Sequence, residues 1–77
     1  MPPRFTDHLR ARMRRRRITE EDVRTVLQRP MDEVYDPENR SYKLYGRTTD
    51  GRKIYIAIKD TTLGTDNPVI KSVVEVG

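Results

Sequence analysis

Cysteine is absent from the 77 residues, so no disulfide framework, thiolate zinc site or thiol nucleophile can be built. The compact, disulfide-stapled secreted classes drop out, and a cytoplasmic protein is the expectation. No stretch approaches the roughly 20 apolar residues of a membrane-spanning helix. The start, Met1-Pro2-Pro3-Arg4-Phe5, leads into charge and not into an apolar run, so neither secretion nor membrane insertion is expected. Glycines occur singly, which leaves no glycine-rich phosphate loop. There is one histidine and the carboxylates are scattered, a poor ligand set for a metal. Neither a metal nor a nucleotide cofactor is expected.

What the chain has is charge, at 36% against 34% hydrophobic residues. The apolar residues nevertheless group with clear periodicity, which marks a folded chain. A single domain over residues 1–77 is expected, and a chain this short buries only about 60% of its unfolded surface. The net charge of +4 is unevenly spread: residues 1–29 carry nine arginines against four acids, residues 30–77 seven bases against eight acids. A basic N-terminal third calls for a polyanionic partner, because Arg and Lys at phosphates release condensed counterions. Nucleic acid is the commonest such partner. An anionic membrane is disfavoured, since the basic segment offers only Phe5, Leu9 and Met13 as sizeable apolar residues.

Along the chain the spacing predicts a helix from about Thr6 to Arg16, with Thr6 or Asp7 at its cap. Thr19 opens a second helix, with Asp22 as a capping-box partner and Ile18 and Val23 spaced as a hydrophobic staple. Val23, Val26 and Leu27 share a face, and Pro30 should stop this helix near Gln28. The period then becomes alternating. Glu33-Val34-Tyr35 reads as a short strand before a turn at Asp36-Pro37-Glu38-Asn39. Arg40 to Thr48 and Arg52 to Lys59 form a hairpin through Thr49-Asp50-Gly51, and Pro68 to Val76 follows a polar loop as a further strand. The expected fold is α+β, two N-terminal helices packed on a three- or four-stranded antiparallel sheet.

Alternation assigns Tyr42, Leu44, Gly46, Ile54, Ile56, Ile58, Ile70, Val74 and Val76 to the face that meets the helices. The opposite face carries Lys43, Tyr45 and Arg47 beside Lys53, Tyr55, Ala57 and Lys59. Rings can stack on unpaired bases for roughly 1–3 kcal/mol each while Lys and Arg hold phosphates. The same composition also suits an ordinary solvated sheet face, where Tyr is a good strand former and alternating Lys is common. On the first helix, His8, Arg12, Arg15 and Arg16 fall within an arc of about 100°. This strip borders the seam of Leu9 and Met13. A His can move a proton near neutral pH and guanidinium groups can hold a scissile phosphate, although a helical Arg run is also a common solvated face.

The segment from Thr6 to Val23 resembles the opening of the family called domain of unknown function 4258. His8, Arg12, Met13, Arg16, Ile18 and Val23 carry the likeness, which continues in order through the strands to a Val-rich end. Leu9 and Arg17 depart from it, where the family often has Ala after the His and Gly before the Ile. That family is similar to the RelE and BrnT group of small ribonuclease toxins. The resemblance implies a RelE/barnase-like fold, the metal-independent RNA cleavage of some relatives and, for a toxin, the acidic antitoxin-like protein partner often encoded beside one; the analogy is one of fold.

On that reading a ribose 2′-hydroxyl attacks its neighbouring phosphate and DNA is resistant. Arg12 and Arg16 are the expected phosphate and transition-state ligands, and His8 the general acid or base or the group that orients Arg12. A two-histidine mechanism is excluded. Arg15, Lys43, Tyr45, Arg47, Tyr55, Lys59 and Lys71 are the expected nucleic-acid contacts, placed by helix and strand face. The alternatives are a non-catalytic binder of nucleic acid and an antitoxin- or immunity-like protein whose Val69 to Val76 segment pairs with a partner.

Overall fold

A computed structural model describes residues 5–76, and within them two helices precede a four-stranded sheet. The helices are α1, Asp7–Arg16, and α2, Glu20–Gln28. The strands are β1, Asp32–Asp36; β2, Ser41–Arg47; β3, Lys53–Lys59; and β4, Ile70–Glu75. Spatial order follows chain order and every neighbouring pair is antiparallel. The fold is α+β, an open meander with both helices against one face.

Helices this short depend on their ends. The Thr6 hydroxyl accepts the Leu9 N–H at 3.1 Å and starts α1. Arg17 closes it in the left-handed region (φ 56), where the Arg17 and Ile18 amides donate back to the Arg14 and Met13 carbonyls. This is a Schellman closure, with Met13 and Ile18 buried in the core. The capping box of α2 forms as the sequence predicts: Thr19 Oγ1 accepts the Asp22 N–H at 3.1 Å, and Asp22 Oδ2 accepts the Thr19 N–H at 3.0 Å. Asp is shorter than the usual Glu, but its second oxygen takes the Thr49 N–H at 2.9 Å. One carboxylate, 2% exposed, thus ties a helix start to the β2–β3 connection.

The core lies between the helices and the inner sheet face. Leu44, Ile54, Ile56 and Ile58 meet Leu9, Met13, Val23 and Val26, all buried. Close approach of α2 requires a glycine on β2, since a Cβ at Gly46 would stand 2.7 Å from Val26 Cγ2. The β2–β3 connection turns through Thr49-Asp50-Gly51, and only Gly51 is left-handed (φ 88). Arg40, expected as the first residue of a strand, instead ends the β1–β2 turn with φ 50.

Strand β4 departs from simple alternation. Ile58 pairs with Ile70 and Ala57 with Ser72, so Lys71 is an extra residue in a β-bulge. Past the bulge the faces exchange. Val73, opposite Ile56, is the buried residue, while Val74 stands opposite Tyr55 on the outer face. The assignment of Val74 and Val76 to the helix-facing side is therefore corrected. Val76 is 36% exposed.

Candidate nucleic-acid interface

The outer sheet face, turned away from both helices, is basic and aromatic. Antiparallel register places Tyr45 opposite Tyr55, Arg47 opposite Lys53 and Lys43 opposite Ala57. The two rings form a tilted pair with centroids 5.4 Å apart and planes at 48°. Lys43 Nζ lies 5.3 Å from the Tyr55 centroid and Lys53 Nζ 5.7 Å from that of Tyr45. These are cation–π arrangements on half-buried rings.

Beside the rings is a cleft of about 330 Å³, lined in part by Asp36, Lys43, Tyr55, Lys71 and Ser72. The bulge brings Lys71 here, because Lys71 and Ser72 both lie on the outer side between inward Ile70 and Val73. Lys71 Nζ donates to Asn39 O at 2.6 Å and to Ser41 Oγ at 2.8 Å. Asp36 accepts from Asn39 Nδ2 at 2.8 Å and lies 3.9 Å from Lys43 Nζ. The Asn39 hydrogen bond, with Lys43 nearby, holds the Asp36 carboxyl below its ordinary range. Lys59, opposite Ser41, is exposed on the same face. Arg47, opposite Lys53 at the end of β2, donates to Gly51 O at 2.9 Å.

The α1 strip stands elsewhere. His8, Arg12 and Arg15 are exposed, and no hydrogen bond or ion pair engages their side chains among the described residues. Arg16 NH1 reaches β4 and donates to Val73 O at 2.7 Å. The neighbouring turn is braced by Arg52, whose NH1 donates to Arg16 O at 2.8 Å and to Glu75 Oε1 at 2.8 Å. The residues named from the sequence thus fall into two groups. Lys43, Tyr45, Arg47, Tyr55, Lys59 and Lys71 share the outer face; His8, Arg12, Arg15 and Arg16 lie on a helix packed against the inner one. A second basic groove, about 410 Å³, runs along the α1–α2 corner, with Arg10, Arg14 and Arg17 beside Met13 and Ile18.

Sequence reasoning missed Ser41, Ser72 and Asn39 as cleft residues. None carries a charge or a ring, and their meeting depends on the β1–β2 turn and the bulge. Tyr35 and Tyr42 form a further ring pair, centroids 4.9 Å apart, at the inner-face end of β1 and β2. The Tyr35 hydroxyl donates to Asp60 Oδ2 at 3.1 Å, and that hydrogen bond raises the Tyr35 pKa. Among the described residues no cluster of three or more His, Asp or Glu could hold a metal, and no helix is long and apolar enough to cross a membrane.

No curated protein and no solved structure matches the chain. Residues 5–75, from just before the cap of α1 to the end of β4, match one family model, and the chain belongs to the family described as domain of unknown function (DUF4258).

Proposed function

We propose that this protein binds single-stranded RNA on its outer sheet face. The observation that carries the reading is the Tyr45–Tyr55 pair with Lys43 and Lys53 over its rings, on the face turned away from α1 and α2. Unpaired bases stack on such rings whatever their sequence, and flexible lysine stems let the ammonium groups follow the phosphates. RNA is preferred to DNA here because of the likeness to RelE and BrnT-like toxins.

The toxin likeness adds a second reading, metal-independent cleavage of the bound strand, favoured by the exposure of His8 and Arg12 one helical turn apart with no protein partner among the described residues. In that reaction the 2′-oxygen bonds to phosphorus as the bond from phosphorus to the 5′-oxygen breaks. One proton leaves the 2′-hydroxyl and one is delivered to the departing oxygen. Arg12 and Arg16 would neutralise the pentacoordinate phosphate and His8 would carry a proton. Arg16, anchored on Val73 O, keeps further N–H groups for a phosphate. An acidic partner protein of the antitoxin kind would find its counter-charge at the arginine-lined α1–α2 groove.

The test is to incubate the purified chain with labelled single-stranded RNA and matched DNA in EDTA, measuring binding by anisotropy and products by mass spectrometry. Tyr55→Ala is expected to weaken RNA binding by about 1–3 kcal/mol. Unchanged affinity in Tyr55→Ala and Lys43→Gln sinks the sheet-face reading. Cyclic-phosphate ends on RNA alone, lost in His8→Ala and Arg12→Ala with binding retained, support cleavage. Intact RNA under conditions of full binding leaves a binder.

A further inference from the structure

We infer that the cleft between the β1–β2 turn and the β4 bulge is a subsite for one nucleotide unit, its phosphate held by Lys71 and Lys43 and its base laid against Tyr55; this rests on the RNA-binding reading of the sheet face. Three features of the cleft lead there.

The first is size and lining. A volume of about 330 Å³ sits at the small end of ligand pockets, which run from roughly 300 to 1,000 Å³. Two ammonium groups against one carboxylate leave the cleft net positive, and the carboxylate is already engaged by Asn39 and Lys43. The tyrosine ring supplies the flat apolar wall that a base requires.

The second is the positioning of Lys71. A lysine on a regular strand is a mobile charge, but two of the three Nζ donors are committed here, to Asn39 O and Ser41 Oγ across the sheet. Ser41 is itself 2% exposed and donates to Asn39 O at 2.9 Å, so the anchor is built into the turn. One donor is left for a ligand, with side-chain entropy already lost on folding. The third is the bulge. An extra residue at Lys71 disrupts the ladder and turns Lys71 and Ser72 to one side, which regular pairing could not do. It places an ammonium and a hydroxyl together beside the Tyr55 ring, as phosphate recognition needs.

The ligand chemistry is a nucleoside monophosphate unit, supplied by a free nucleotide or by one residue of an RNA strand. Titrating the isotope-labelled full chain with uridine monophosphate, uridine and a five-residue oligouridine separates these sources by NMR. The monophosphate should shift the amides of Ser41, Lys43, Lys71 and Ser72, uridine alone should not, and the oligomer should shift the same set more strongly. Lys71→Gln and Lys43→Gln should each weaken the monophosphate and the oligomer about tenfold, while Arg24→Gln, an exposed base on α2 away from the outer face, stays within about twofold. Lys43 anchors no backbone carbonyl, so its variant reads the site even if Lys71→Gln disturbs the turn. Lys71→Arg should retain most of the binding. A Lys43→Gln effect no larger than that of Arg24→Gln overturns the subsite. If Tyr55→Ala still weakens the oligomer in that case, RNA binding on the sheet survives; if no sheet variant affects it, both ideas fall.

Discussion

Arg17 closes α1 in a conformation that L-residues enter only at a cost of roughly 1–2 kcal/mol. Its amide and carbonyl make the contacts that matter there, to Arg14 and Met13 and from Arg52, and a glycine would keep them all. The family pattern, with its usual Gly at this place, carried the signal, although the arginine itself gives none. Arg17→Gly should therefore stabilise the protein by about 0.5–1 kcal/mol after the loss of unfolded-chain restriction, read as a raised melting temperature. A lowered one would show that the Arg17 side chain contributes more than its backbone costs. Two other single residues set the acid response. Asn39 donates to Asp36, and Thr48 and then Arg52 donate to Asp50, holding both carboxyls below their ordinary pKa. A depressed folded-state pKa stabilises the fold above the unfolded value and is lost as pH falls through the folded one. Thermal melts taken from neutral pH down to about pH 2 should fall in the carboxylate range, and Asp50→Asn should flatten that fall. An acid limb identical in Asp50→Asn would remove Asp50 from the account.

At the scale of elements, both helices, the hairpin and the antiparallel order were legible because their signals are local. Thr6 and the Thr19/Asp22 pair act within one turn of chain, and Asp50-Gly51 fixes its own bend. The faces of β2 and β3 were equally open to reading, since uninterrupted alternation decides them. The inward face of β4 was not. Lys71-Ser72-Val73-Val74 carries apolar residues on both parities, and only pairing with β3 decides where the extra residue goes. That pairing is testable side chain by side chain. Val73→Ala, with the residue 2% exposed, should cost about 2 kcal/mol, while Val74→Ala on the half-open face should cost about half of that or less. Denaturant midpoints at constant slope measure both, and the reverse order would place the bulge elsewhere. The cleft went unseen for the same reason, because Ser41, Asn39 and Ser72 acquire meaning only when the turn and the bulge bring them to Lys71.

Among the described residues, two basic surfaces lie on opposite sides of the sheet, the α1 strip and the outer face. The sequence showed both as residue lists, the α1 strip at helical spacing and the β2–β3 lysines at alternating spacing. Their relation depends on α1 packing toward β4 with Arg16 anchored on Val73 O, a long-range contact that no local pattern encodes. Salt dependence distinguishes which surface takes the RNA. For single strands, log K falls against log salt with a slope near −0.7 per phosphate neutralised. Lys43, Lys53, Lys59 and Lys71 on the outer face then set a slope of about −3 if each meets a phosphate, and Lys43→Gln or Lys53→Gln should each reduce it by about 0.7. Arg12→Gln and Arg15→Gln, on the far side of the sheet, should leave the slope of a short oligomer unchanged. A longer strand that reaches around the β4 edge to α1 should recover their contribution. If instead Arg12→Gln and Arg15→Gln flatten the slope of the shortest oligomer while the sheet lysines do nothing, the strand lies on the helix from the outset and the tyrosine pair is an ordinary solvated face.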